Sequence, residues 1–487
     1  MKQQFAGNVR EYLMYIAGEW TRSSSEDTIE VRNPYDNSTY ALVQKGNNKD
    51  VRKAIDSAYS VKETWGDTAP IERADYIYRL YDLMTSRKDE LRDALITESG
   101  STYKKASVEV TATLRTVRAA AEESQRVVGE TISSDVRKIS VTVRHPAGVI
   151  AAITPFNYPL LLSMKKCLSA LAVGDTVVLK PASATPITQL KAAELIDATR
   201  LPSGVFNIVT GSGKAIGNEL VTNPKVAHVS FTGSYETGKR IAERAAKTLK
   251  RVTLELGGSD PLIILRDATL DYTVDTAVFG AFFHQGQVCI SAKRIIVEEA
   301  IAADFVERFV SRVKNLKVGD PRSADTDIGP LTTRAQLKRI DAQVKDAIDK
   351  GATIQCGGRH ENQLYWPTVI TDVKRDMRIY SEEVFGPVRP IIIVADENEA
   401  IEVANDTMYG LSSGVLTNDL NKAIMIAKKL ECGMVHINDS PLHFEPRAPF
   451  GGAKCSGFGL EGGKYSTEDL TEIKWITIQI GRRNLPI

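Results

Sequence analysis

The stretch FFHQGQVCISAKR, residues 282–294, places one of only five cysteines directly after Gly-Gln-Val. A cysteine there has three possible roles: a nucleophile that attacks as the thiolate, a metal ligand, or a small buried hydrophobe. His284, five residues earlier, raises the possibility of a Cys–His couple, although on a helical face it reads as packing. Two glycine-rich stretches bear on a second kind of chemistry, the holding of a dinucleotide. GSGKAIG (Gly211, Gly213, Gly217) has one residue too many before its last glycine to match G-x-G-x-x-G, and a tight turn before a helix explains it equally well. SFTGSYETGKR ends a strand and opens a helix, and the free N–H groups around Gly233 and Ser234 suit a pyrophosphate.

The remaining cysteines, Cys167, Cys356, Cys432 and Cys455, lie far from Cys289 and from one another, and no C-x-x-C pair occurs. This argues against a disulfide framework and for a reducing compartment. The six histidines form no H-x-x-x-H or H-E-x-x-H pattern, which argues against protein-ligated zinc. Cys167, in the helical pattern SMKKCLSALA, reads as a buried thiol. The net charge of +1 comes without a basic stripe, so nucleic acid is not an expected partner. No uninterrupted apolar run has the length of a membrane span, and MKQQFAGNVREYLMYIAGEW lacks a leader's apolar core and cleavage site. The expected location is the cytoplasm.

These residues need elements to position them. From Gly148 onward, β-branched runs alternate with amphipathic helices: GVIAAI, LLLSMKKCLSALA, DTVVLK, PITQLKAAELIDATR, GVFNIVTG, VAHVSF and RVTLEL. That alternation specifies a parallel sheet covered by helices on both faces, with ligands at the carboxyl ends of its strands. A second α/β series begins near Leu262. It includes a helix over TVDTAVFGAFFHQGQ, the strand RIIVEEA, helices over IAADFVERFVSRVKNL and TTRAQLKRIDAQVKDAIDKG, and the strands PTVIT and RPIIIVAD. KISVTVRH and KWITIQIG alternate apolar and polar residues outside both series and read as a small ribbon that packs against another subunit. The expected fold class is therefore α/β: a Rossmann-like parallel-sheet domain, a second α/β domain and a small β ribbon.

Seven motifs then stand in one order: TPFNYPL (154–160), VLKPASATP (178–186), FTGSYETG (231–238), LELGG (254–258), GQVC (286–289), EEVFGPV (382–388) and PFGGAKCSGFG (449–459). Together they closely resemble the aldehyde dehydrogenase superfamily over almost the whole chain. The resemblance implies a dinucleotide-binding domain (1–122 and 146–257), a catalytic domain (258–470) and an oligomerisation ribbon (123–145 and 471–487). It also implies that GSGKAIG need not touch the cofactor.

By the same resemblance Cys289 is the nucleophile, Asn157 the side-chain donor to the oxyanion, Glu255 the general base, and Glu461 part of a water network. Gly286 would let backbone and nicotinamide approach closely. Thr154, Pro155, Phe156, Lys180, Ser183, Gly233, Ser234, Leu256, Glu383 and Phe385 match cofactor contacts. Ser183 replaces the Glu of many NAD-specific relatives, which removes a repulsion against a 2′-phosphate; NADP is expected to be preferred, with NAD possible. The aldehyde pocket is expected from Tyr158, Leu162, Lys165, Val288, Ile290, His443, Phe444 and Phe450, with Arg447 a further candidate for contact with an acidic or hydroxylated substrate. D-glyceraldehyde or a related hydroxyaldehyde is the leading substrate expectation, and an aromatic aldehyde of the benzaldehyde or vanillin type the alternative. More remote readings are a coenzyme-A-acylating dehydrogenase and a non-catalytic homologue. The expected assembly is a homo-oligomer, dimer or tetramer.

Overall fold

The computed structural model describes residues 3–6 and 9–487. Helix α1 (Tyr103–Glu123) precedes the first alternating series. That series runs β1 (Val149–Ile153), α2 (Pro159–Val173), β2 (Thr176–Lys180), β3 (Phe206–Ile208), β4 (Val226–Thr232), α3 (Tyr235–Ala245) and β5 (Arg251–Glu255). The strands lie in the order β5-β4-β1-β2-β3, all parallel. Two antiparallel pieces complete this sheet: the hairpin Met14–Ile16 with Glu19–Thr21 beyond β3, and Gly457–Phe458 beside β5. A four-stranded sheet of Gln3–Ala6, Val9–Tyr12, Thr39–Gln44 and Thr28–Arg32 stands apart.

The side-chain period of two explains how β1 is buried on both faces. Ile150 and Ala152 enter one core with Leu160, Met164 and Leu168 of α2, while Val149, Ala151 and Ile153 enter the core on the opposite face. Pro159 occupies the first turn of α2, where its missing N–H costs nothing, and Gly174 closes the helix in the left-handed region at φ 103°.

The second series follows as β6 (Pro261–Ile264), α4 (Leu270–Phe282), β7 (Arg294–Glu298), β8 (Thr368–Thr371), β9 (Val388–Val394), β10 (Ser412–Leu416) and β11 (Met434–Ile437). Its sheet runs Thr353–Cys356, β8-β9-β7-β6-β10-β11, with only the first strand antiparallel. Strand β6 divides as β1 does, with Leu262 and Ile264 to one core and Ile263 to the other. Lys138–Pro146 and Thr471–Gln479 form an antiparallel ribbon, in register from Pro146–Thr471 to Lys138–Gln479.

The helix expected over TVDTAVFGAFFHQGQ ends early. It stops at Phe282, and His284 and Gln285 take left-handed backbone conformations at φ 53° and 54°. His284 therefore sits in a kink rather than on a helical face. The last helical carbonyls are taken by the returning chain: Ala292 N–H and Ser291 Oγ donate to Gly280 O at 2.9 and 3.0 Å, and Arg389 donates to Ala281 O. Gln285 Nε2 pays for the kink with bonds to Gly100 O at 2.9 Å and Pro330 O at 3.1 Å. Among the described residues, no helix is long and apolar enough to cross a membrane.

Candidate active site

The loop that returns from α4 to β7 carries Cys289, half-buried, beneath a cavity of about 540 Å³. The cavity is walled by α1, the start of α2, the end of α4 and the 439–450 loop. All eight residues expected of the aldehyde pocket line it: Tyr158, Leu162 and Lys165 from the α2 segment, Val288 and Ile290 beside Cys289, and His443, Phe444 and Phe450 from the loop. Sequence reasoning missed the α1 wall, including Ser107, Thr111 and Arg115, and the rings of Phe279 and Phe283. The i,i+4 spacing of those two rings just before Cys289 was the available signal. Arg447 does not line the cavity, because its guanidinium pairs with Glu122 instead.

Asn157 is buried, and its Nδ2 donates to Gln287 O at 2.9 Å, two residues before Cys289. This bond orients the amide and leaves its second N–H for another acceptor. The backbone at Asn157 is gripped from α1, where Lys105 Nζ donates to Asn157 O at 2.6 Å. Lys105 pairs with Glu109, both without exposure. Glu109 Oε1 accepts the N–H groups of Leu160 and Leu161 at 2.9 and 3.2 Å, at the amino end of α2. The sequence carries this pair as an i,i+4 spacing, but only packing puts it against Asn157.

Gly286 has φ 66°, and a Cβ there would collide with Arg389 and Gly386 O. A glycine at this position is thus required by the packing of the Cys289 loop against Arg389 of β9 and the Gly386 carbonyl.

Glu255, the last residue of β5, is buried with neither carboxylate oxygen hydrogen-bonded. Burial raises its pKa well above the usual carboxylate range; Glu461 adds to this, and Lys165 and Lys166 oppose it. Glu461 behaves oppositely. Burial would raise its pKa, but Lys166 and Lys165 hold it down to about 2. Its Oε1 takes Lys166 and Ser230 Oγ (3.1 Å), and Lys165 Nζ stands 3.2 Å from Oε2. Two buried carboxyls are thus pushed apart, one toward the protonated acid and one toward the permanent anion. The Cys289 thiol is pushed up to about 12, by burial first, with Lys293 opposing. His284 is fully buried, its ring edge-on to Tyr158 with centroids 5.6 Å apart, and burial keeps it neutral.

The expected cofactor residues gather at the carboxyl ends of the first sheet. Thr154, Pro155 and Phe156 follow β1, Lys180 ends β2 with Ser183 just beyond, Gly233 and Ser234 follow β4, and Leu256 follows β5. Phe385 meets Phe156 edge-on, with centroids 5.9 Å apart. Glu383 accepts Gly258 N–H at 3.2 Å. Lys180 Nζ donates to Pro181 O at 2.8 Å, and burial lowers its pKa to about 8. Ser183 Oγ donates to Gly211 O at 3.1 Å, so the GSGKAIG turn packs directly behind it. A dinucleotide fits this edge. Ser234 caps α3 without a side-chain bond to the helix's first N–H groups, which leaves donors for a pyrophosphate, and Thr232 Oγ1 is buried without a partner nearby in the chain. No cluster of three or more His, Cys, Asp or Glu residues suited to a metal occurs among the described residues.

A cysteine beneath a cavity, with a buried carboxyl nearby and the carboxyl ends of a parallel sheet beside it, suits an oxidoreductase that uses a dinucleotide. The chain belongs to the aldehyde dehydrogenase family, whose sequence pattern matches residues 20–476. It oxidises an aldehyde with NAD(P), through a catalytic cysteine. It is 38% identical to a lactaldehyde dehydrogenase of Methanococcus aeolicus over 96% of this chain and 99% of that protein. The solved salicylaldehyde dehydrogenase of Pseudomonas putida G7, complexed with salicylaldehyde, superposes with a TM-score of 0.96 at 37% identity, covering 98% of this chain and 100% of the other. A betaine aldehyde dehydrogenase of Staphylococcus aureus in complex with NAD+ superposes at 0.95 with 35% identity, covering 97% and 96%.

Proposed function

We propose that the protein oxidises an aromatic aldehyde to its carboxylic acid, with Cys289 as nucleophile and NADP as the preferred acceptor. The observation that carries this reading is the cavity above Cys289, about 540 Å³ and walled by the rings of Tyr158, Phe279, Phe283, Phe444 and Phe450. Such a wall matches a flat apolar body that can pack against the rings, better than a small hydroxylated chain with little apolar surface. The salicylaldehyde bound by the Pseudomonas relative agrees with this choice, while the lactaldehyde dehydrogenase of Methanococcus aeolicus agrees with a small hydroxyaldehyde. The polar lining of Ser107, Thr111, Arg115 and Lys165 favours a second reading, D-glyceraldehyde or a related hydroxyaldehyde.

The reaction begins when the Cys289 thiolate adds to the carbonyl carbon and the C=O electron pair moves onto oxygen. That oxyanion is met by the Asn157 amide and the Cys289 N–H, held in place before the charge develops; such a donor typically contributes about 3–4 kcal/mol. NADP, when bound, supplies the oxidised nicotinamide that accepts the hydride. The thioester left on Cys289 is hydrolysed by a water that gives its proton to Glu255, and the thiolate departs from the acid. Glu461, fixed as an anion by Lys166, orders the polar surroundings of that water. The base is what distinguishes this reading from an acyl-coenzyme-A-forming enzyme.

For the cofactor, Lys180 and Ser183 serve the adenine-side ribose, Ser234 and the start of α3 the pyrophosphate, and Glu383 and Phe385 the nicotinamide ribose and ring. Thr154, Pro155, Phe156, Gly233 and Leu256 line the same edge. Ser183 presents no carboxylate to a 2′-phosphate, which supports NADP over NAD. We also propose the domain division given by the sequence, a cytoplasmic location consistent with five unpaired cysteines, and assembly through the ribbon. The test is kcat/KM with NADP and NAD, for benzaldehyde and for D-glyceraldehyde. Benzaldehyde preferred with NADP is the expected result. A clear preference for glyceraldehyde would overturn the substrate reading, and a clear preference for NAD the cofactor reading.

A further inference from the structure

Lys293 lies four residues past Cys289, where the chain leaves the nucleophile loop for β7, and is 1% exposed. Its ammonium donates to the Cys289 carbonyl and stands 3.2 Å from Glu383 Oε1. Its own backbone N–H donates to Asp260 O at 2.9 Å. Glu383 is pressed against the glycines after β5: it accepts Gly258 N–H, and a Cβ on Gly257 would collide with its carboxylate. One buried cation therefore touches both the loop that carries the thiol and the carboxylate beside the dinucleotide edge.

We infer that Lys293 is a positioning residue for both halves of the reaction: its charge favours the Cys289 thiolate, and its pairing holds the Glu383 carboxylate in place for the nicotinamide ribose. The inference rests on the roles proposed above for Cys289 and Glu383. The groups that face the thiol are Lys293 from its own loop, Asp260 just before β6, Glu255 from β5, Glu383 from the 382–388 segment and the phenol of Tyr158. Burial and the three carboxyl groups all favour the neutral thiol, so Lys293 supplies the opposing cation. Its ammonium cannot leave for solvent, because its stem is enclosed and its acceptors are the two groups it serves.

The test uses the full-length enzyme without aldehyde. Alkylation of Cys289 by iodoacetamide is followed across pH by mass spectrometry of its peptide, and NADP affinity is measured by titration calorimetry. Lys293→Gln keeps a donor for the Cys289 carbonyl but removes the charge. It is expected to slow alkylation roughly tenfold at pH 8, and to weaken NADP binding severalfold. Lys293→Arg keeps the charge on a bulkier head, and is expected to slow alkylation less than Lys293→Gln does. Where Lys293→Gln does not fold, Lys293→Met preserves the buried stem and gives the same readout. Wild-type alkylation and NADP affinity in the uncharged variant would overturn the inference, as would equal slowing in the Gln and Arg variants. Cys289→Ala separates the two levels. If it turned over normally, the nucleophile assignment itself would fail, whatever the Lys293 variants did.

Discussion

At Cys289, burial and three neighbouring carboxyl groups keep the thiol protonated near neutrality, with its pKa pushed up to about 12. Below that value the thiolate fraction rises tenfold per pH unit, and Glu255, also raised by burial, loses its proton in the same direction. We therefore expect kcat/KM to climb from pH 7 to pH 9; a flat or falling profile would count against thiolate attack as the limiting event. With Glu255 as the proposed base for water, Glu255→Gln should lower kcat by roughly 10²–10⁴ while acylation continues. An acyl adduct on Cys289, seen as added mass during turnover, is the expected signature, and its absence would remove Glu255 from deacylation. On the cofactor reading proposed above, Ser183→Glu would place a carboxylate beside the 2′-phosphate. The ratio of kcat/KM for NADP over NAD should then fall at least about tenfold, by like-charge repulsion; an unchanged ratio would dissociate Ser183 from the nucleotide.

Among the elements, α1 reaches furthest into the chemistry without supplying a reacting group. Its Lys105 and Glu109, one turn apart and fully buried, hold the Asn157 carbonyl and the first N–H groups of α2 respectively. Removing one partner strands the other as a buried charge, typically a cost of about 3–5 kcal/mol. Glu109→Gln should therefore lower the urea midpoint by a corresponding amount. It should also depress kcat more than KM, because the Asn157 donor, in the role proposed for it, acts chiefly on the developing oxyanion. A variant with wild-type stability and kcat would show that α1 does not carry the oxyanion turn.

Across the whole molecule, the ribbon is the feature the single chain leaves unfinished. Ile473 and Trp475 on one face, and Ile476 and Ile478 on the other, remain 62%, 69%, 39% and 54% exposed. Apolar side chains on both faces of one exposed ribbon suit the subunit contact proposed above. Replacing Ile473 and Trp475 with glutamate should shift the light-scattering mass to a smaller species; an unchanged mass would move the interface elsewhere.

Much of the fold was legible because its signals are local. β-branched runs alternating with helices specify parallel sheets, and the period of two in VIAAI explains how one strand serves two cores. The family was legible by motif, and the eight residues expected of the pocket all line one cavity. What the sequence could not carry was contact between distant segments. The kink at His284 depends on Gln285 finding the carbonyls of Gly100 and Pro330. The glycine at 286 is required by Arg389 and Gly386, about a hundred residues further along the chain. The tail after β11, assigned by its order along the chain to the second domain, sends Gly457–Phe458 back to pair with β5, beside Glu255. The sequence by itself determined which residue types could do the chemistry and, from Gly148 onward, the alternation of strands and helices. Only the tertiary structure decided which buried charges share a site, because a pairing such as Lys293 with Glu383, ninety residues apart, is set by packing and desolvation and leaves no periodic trace in the chain.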